Sequence, residues 1–156
     1  MEQQLIHTNN LSGTKSGVGA LIIATKDSRV LLSMRASYKT HAHQWSLFGG
    51  MVEPGESPKD ALLRELSEEM GFVPDFTRIY PFDVYHSKDG QFNYISFVII
   101  VEEEFTPNLN KENCGYCWIN LGEWPRPIHQ GIRSCFTSKK SLDKINLILS
   151  QHAYKE

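Results

Sequence analysis

The chain has 156 residues, 40% of them hydrophobic and 22% charged, the proportions of a globular protein long enough to bury a core. Its formal net charge of −2 excludes a global positive field, so neither a nucleic acid polymer nor an anionic membrane is the expected partner. An anionic substrate would have to meet local cations, supplied by side chains or by bound metal.

No repeat or Pro/Ser-rich linker interrupts the sequence, which reads as one domain over 1–156. Residues 1–16 are polar apart from Leu5-Ile6 and are expected to fray. Val-Gly-Ala-Leu-Ile-Ile-Ala at 18–24 reads as a buried strand, and Lys26-Asp27-Ser28 turns it into a second strand over 29–35. A loop carrying His41, His43 and Trp45 leads to Ser46-Leu47-Phe48 and then Gly49-Gly50. The next element has the clearest signals of a helix. Ser57 suits the N-cap, Pro58 the first helical position, Asp60 the third position of a capping box, and Gly71 the C-terminal stop. Ala61, Leu62, Leu66 and Met70 form its apolar stripe. Three strands follow, at 77–85, 92–103 and 115–119, the first two joined by a turn at Ser87-Lys88-Asp89-Gly90. Residues 137–151 read as an amphipathic helix with Leu142, Ile145, Ile148 and Leu149 inward. This order implies an α/β/α sandwich around a mixed sheet.

On the central helix, Glu68 and Glu69 lie roughly 60° behind and 40° ahead of Glu65, so the carboxylates share one face opposite Leu62 and Leu66. Like charges so placed repel unless a cation neutralises them, and hard oxygen donors suit Mg2+, with Mn2+ as a substitute. Arg64 is placed to orient Glu65. Taken alone, Arg-Glu-x-x-Glu-Glu also describes an ordinary solvated helix face. The surrounding segment is more specific. From Gly50 through Glu56, Arg64, Glu65, Leu66, Glu68, Glu69 and Gly71 to Phe72 it matches G-x5-E-x7-R-E-U-x-E-E-x-G-U, U being bulky and apolar, at every specified position.

That segment resembles the signature of the Nudix (MutT-like) hydrolases. The resemblance implies a magnesium-dependent enzyme that cleaves a phosphoanhydride bond in a nucleoside diphosphate derivative, a nucleotide sugar or a nucleoside triphosphate. It also implies roles. Glu65, Glu68 and Glu69 would bind metal, joined by the Gly49 carbonyl. Arg64 would be a salt-bridging orienter, and Glu56 a carboxylate that steadies the loop before the helix, with Gly50 and Gly71 structural in the motif. Glu68 or Glu69 would deprotonate or orient water. Family members often place a further carboxylate on a later loop. Glu112 stands at such a place as metal ligand or base, with Glu102, Glu103 and Glu104 as competitors that strand alternation would split between two faces.

By position Arg35 could meet a substrate phosphate, and Trp45, Phe82, Tyr85 or Tyr94 could stack a base, although such aromatics are more often packing. The stretch Trp124-Pro125-Arg126-Pro127-Ile128-His129 either walls a pocket or ties down the C-terminal helix. Cys114 and Cys117, with His129 and Cys135, match no common zinc module and would face opposite sides of a strand. An odd number of cysteines, a polar N-terminus and no apolar run beyond 97–101 point to a reducing, cytoplasmic setting.

Two other classes fit the fold. One is an enzyme of different chemistry, either a sugar-nucleotide hydrolase acting at carbon or an isopentenyl diphosphate isomerase. The other is a non-catalytic nucleotide-binding module. The intact signature favours attack at phosphorus, and crowded carboxylates are unnecessary for binding alone. Accessory motifs linked to NADH, ADP-ribose, dinucleoside polyphosphate and coenzyme A substrates are absent. Many relatives form homodimers, but no exposed apolar stripe here demands one.

Overall fold

Every residue of Lys15–Ala24 after the first is buried, because this strand, β1, has a core on each face. Val18, Ala20, Ile22 and Ala24 point into one core, and Leu21 and Ile23 into the other. The computed structural model describes residues 14–152. Its further strands are β2 (Arg29–Arg35), β3 (Trp45–Ser46), β4 (Phe48–Met51), β5 (Arg78–His86), β6 (Phe92–Val101) and β7 (Asn113–Asn120). Its helices are α1 (Pro58–Met70), α2 (Gln130–Thr137) and α3 (Lys139–Gln151).

The strands form a mixed seven-stranded sheet. β1 pairs in parallel with β6 along its whole length, from Lys15 opposite Phe92 to Ala24 opposite Val101. Its other edge is shared between two antiparallel partners. β4 takes Gly17 to Ala20, and β2 takes Ile22 to Ala24. β2 then diverges to pair with β3, while its far edge carries β7. The β5–β6 hairpin turns where the sequence predicted, with Gly90 at φ 72° and Asp89 Oδ1 accepting from the Gln91 amide at 3.0 Å.

Helix α1 covers one face, with Ala61, Leu62, Leu66 and Met70 packed on Phe48, Leu31, Ile99 and the even residues of β1. On the other face Ile132 and Phe136 of α2 and Ile145 of α3 pack on Leu21, Ile23, Leu32 and Val98. This is the expected α/β/α sandwich. Local chemistry fixes α1 as the sequence implied. Ser57 Oγ accepts from the Asp60 amide at 3.1 Å, and Gly71, at φ 79°, closes the helix by donating to the Ser67 carbonyl at 3.0 Å. None of the helices among the described residues is long and apolar enough to cross a membrane.

Four expectations need correction. Lys15 and Ser16, placed in the fraying segment, pair with Phe92 and Asn93 because β6 offers an open edge there; residues 1–13, with Leu5 and Ile6, lie outside the described residues. Helix α2 was not foreseen. It is short and begins at His129, whose Nδ1 accepts from the Gly131 amide at 2.9 Å in place of a usual capping side chain. The C-terminal helix therefore starts after Ser138, which ends α2 and caps α3. Strand β6 ends at Val101, so alternation does not sort Glu102, Glu103 and Glu104; Glu103 pairs with Lys26 at 3.3 Å, and Glu104 accepts from Arg29 Nε at 2.7 Å.

Leu66 is fully buried at the centre of the α1 stripe, whereas Ser57 acts only at the helix end. Urea unfolding should show Leu66→Ala losing about 2–5 kcal/mol, and Ser57→Ala losing about 1 kcal/mol.

Candidate active site

The carboxylates of Glu65, Glu69 and Glu112 come together, each offering an oxygen within 4.8 Å of the others. Glu65 and Glu69 are one helical turn apart on α1, whereas Glu112 arrives from the loop before β7. That loop is fastened to the end of α1. The Asn108 amide donates to the Met70 carbonyl at 2.9 Å, and the Asn110 amide to the Glu69 carbonyl at 3.3 Å. Asn110 Oδ1 in turn accepts from the Glu112 amide at 2.9 Å.

Contrary to the expectation from the sequence, Glu65 and Glu69 do not lie opposite Leu62 and Leu66. Glu69 falls about 20° from Leu62 around the helix, and both acids are buried beside the apolar stripe, where two glycines leave room for them. A side chain at Gly50 would collide with the Glu65 carboxylate, and one at Gly49 with the Val18 carbonyl. With no side chain at either position, β4 pairs closely beside β1 and the Glu65 carboxylate lies against the β4 backbone. The Gly49 backbone N–H faces the Glu69 carboxylate, whereas the resemblance had offered the carbonyl of Gly49 as a ligand.

Arg64 organises the flank. Its Nε and Nη2 form a two-pronged contact with Glu56 at 2.8 and 3.0 Å. Nη2 also donates to the Met51 carbonyl at 2.9 Å, and Nη1 to Glu65 at 3.0 Å and Glu68 at 3.2 Å. Glu56 uses its Oε1 to accept from the Glu53 amide at 3.0 Å as well, so it pins the loop ahead of the helix. The Arg64 bond holds the Glu56 carboxyl below its ordinary range.

Glu69 has no such partner among the described residues. It is 4% exposed, and burial pushes its carboxyl from the ordinary 4.5 up to about 8, with Glu112 and Glu65 adding repulsion and Asn113 and the Gly49 amide opposing the rise. Burial raises Glu65 too, against the pull of Arg64. A divalent cation is what such a donor set lacks: hard oxygens, close together, partly desolvated and short of positive charge. The residues fit one.

The other sequence candidates lie apart from the cluster or at its edge. Glu68 is exposed beside Glu65, held by Arg64. Arg35 ends β2 and donates to the Thr40 carbonyl at 2.7 Å, while Lys39, from the same loop, reaches Glu112 at 3.7 Å. Trp45 packs on the α2–α3 side of the sheet, its backbone tied to Pro127 and His129. Phe82 is core, Tyr94 lies against Gly19, and Tyr85 is exposed on β5. Trp124 stacks on Phe136 at 4.0 Å, which ties α2 to the sheet. Cys117 is half-buried with its thiol pushed up by burial, and Cys114 is exposed; among the described residues neither belongs to a metal-spaced group. The sequence reading passed over Asn113, whose Nδ2 donates to Glu69 Oε2 at 2.6 Å. Only its adjacency to Glu112 hinted at the site.

Glu69 binds its proton more tightly when folded than at its ordinary 4.5. Between that value and about 8 the folded protein holds the extra proton, so without metal this group makes stability fall as pH rises through that window. Thermal melts in EDTA should show this decline weakened in Glu69→Gln and reversed for the natural chain by a divalent cation. Equal slopes in the two proteins would contradict it.

The chain is 45% identical over 49 residues to a CTP pyrophosphohydrolase of Escherichia coli K12, covering 31% of this chain and 36% of that protein. It is 35% identical over 86 residues to the nucleoside triphosphatase NudI of Escherichia coli, covering 49% of this chain and 61% of that one. The matched segments therefore span less than two thirds of these relatives. The MutT Nudix hydrolase of Burkholderia pseudomallei has the same fold, with a TM-score of 0.62 at 24% identity over 79% of this chain and 95% of that chain. The family model for the NUDIX domain matches residues 13–138, and the chain belongs to that family.

Proposed function

We propose that this chain hydrolyses a phosphoanhydride bond in a nucleoside diphosphate derivative with the help of Mg2+, for which Mn2+ can substitute. The observation that carries the reading is the meeting of Glu65, Glu69 and Glu112, drawn from two distant parts of the chain into a partly buried acidic group. Those carboxylates, with the Gly49 carbonyl, would hold the ion. When bound, it would neutralise the diphosphate and polarise the phosphorus under attack.

The remaining steps belong to the protein. Glu68 is 55% exposed, lies outside the cluster and is steadied by Arg64, so it is the carboxylate free to take a proton from the attacking water. The water oxygen bonds to phosphorus, the bridging P–O bond breaks, and the leaving phosphate departs with the bonding electrons. With a nucleoside triphosphate attacked at its first phosphorus, the products are a nucleoside monophosphate and pyrophosphate. The two bacterial relatives are named for action on nucleoside triphosphates, which favours that class over nucleotide sugars. Arg64 and Glu56 act through the others by keeping Glu65 and Glu68 in place. Lys39, 3.7 Å from Glu112, and Arg35, at the end of β2 ahead of the same loop, are the cations on that side that would meet a phosphate tail.

A panel of nucleoside triphosphates and nucleotide sugars assayed with Mg2+ should yield turnover that EDTA abolishes. Reaction in 18O-labelled water should place the label on a phosphate product. Glu68→Gln should lower kcat by about 10²–10⁴-fold while Mn2+ still binds, whereas Glu69→Gln should weaken Mn2+ binding itself. Label on a sugar carbon, or a full rate in Glu68→Gln, would refute this mechanism.

A further inference from the structure

Asn113 reaches Glu69 only because β7 is irregular. Further along that strand, Cys117 packs into the core beneath α2 and α3, and Trp118 into the core beneath α1. In a regular strand Asn113, four residues before Cys117, would share the Cys117 face and point away from α1. The pairing with β2 runs Leu32 to Cys117, Ser33 to Tyr116 and Met34 to Gly115, and then jumps from Arg35 to Asn113. Cys114 is the extra residue. This bulge turns Asn113 over to the α1 face, where its amide donates to Glu69 Oε2 at 2.6 Å.

The donor is held firmly. Asn113 is 8% exposed, and its backbone amide donates to the Asn110 carbonyl at 3.4 Å. Asn110 is itself bonded to the Glu69 carbonyl, so the loop is referenced to the residue that its side chain serves. With Oε2 engaged, the Glu69 carboxylate has a fixed rotation about its last bond. Groups that orient a ligating carboxylate in this way commonly tune metal affinity.

We infer that Asn113 is a positioning residue which holds the Glu69 carboxylate in the orientation that ligates a divalent cation, and that the bulge at Cys114 serves to deliver it. The inference rests on the reading of Glu65, Glu69 and Glu112 as a cation site. It names a residue outside the family signature as a determinant of that site's affinity.

The test is a Mn2+ titration of the purified chain, following the EPR signal of free Mn2+. Asn113→Leu keeps the side-chain volume and loses the donor; Asn113→Ser stays polar but is too short to reach Glu69. Both should raise the Mn2+ Kd by about 10–100-fold, and the Mg2+ concentration for half-maximal turnover should rise in parallel. Unchanged Kd in Asn113→Leu would show that packing, not donation, is the role, and would overturn the inference. If that variant fails to fold by circular dichroism, Asn113→Ser decides by the same criterion. A natural chain that takes up no Mn2+ would sink the cation-site reading itself. Binding by the natural chain with unaltered binding by the variants would refute the Asn113 role alone.

Discussion

Burying acidic side chains side by side is the constraint from which the rest of this structure follows. A carboxylate removed from water costs free energy unless it loses its charge or gains compensation, and two neighbours of the same sign make the cost larger. Glu69 sits in that position, between Glu65 and Glu112 and almost out of solvent. The surrounding chain responds with fixed dipoles, one guanidinium and the Lys39 ammonium beside Glu112. The Asn113 amide and the Gly49 N–H face Glu69, and Arg64 faces Glu65. None of these supplies a positive charge to Glu69, and that gap in the electrostatics is what a divalent cation would fill.

The sheet is organised around delivering those groups. β1 gives half of one edge to β4 and half to β2, so a four-residue strand containing two glycines is inserted directly under α1. Lacking a side chain at Gly50, β4 admits the Glu65 carboxylate against its backbone. Arg64 then joins that strand, the preceding loop and the helix through Met51, Glu56 and Glu65. The helix thus has an apolar face committed to the core, while its polar edge is clamped at both ends, by Arg64 at one and by the 108–113 loop at the other.

Much of the fold was legible because its signals are local. The caps of α1 lie within three or four residues of the groups they satisfy, so Ser57, Pro58, Asp60 and Gly71 could be read in order. The buried strands β1 and β6 announced themselves as short apolar runs. Helix α2 escaped because it has only eight residues, and its cap is a histidine that sequence rules do not expect. The first residues of β1 looked like a polar tail because their partner, Phe92, is far along the chain.

The sequence by itself determined the family, the layered architecture and a helix with carboxylates along one side, since each depends on spacing within a short segment. It did not determine which carboxylates meet. At about 100° per residue Glu69 falls about 20° from Leu62 and Glu68 about 120° from it, so the helix itself turns Glu69 toward the apolar stripe and Glu68 to solvent, and the packing of α1 on the sheet then buries Glu69. Glu112 and Asn113 join through contacts that span some forty residues, and the second of them depends on a one-residue slip between β2 and β7. Strand alternation would have sent that side chain to the opposite face. A bulge is set by how two strands and a helix fit together in space, so the tertiary structure alone could place the amide beside the acid.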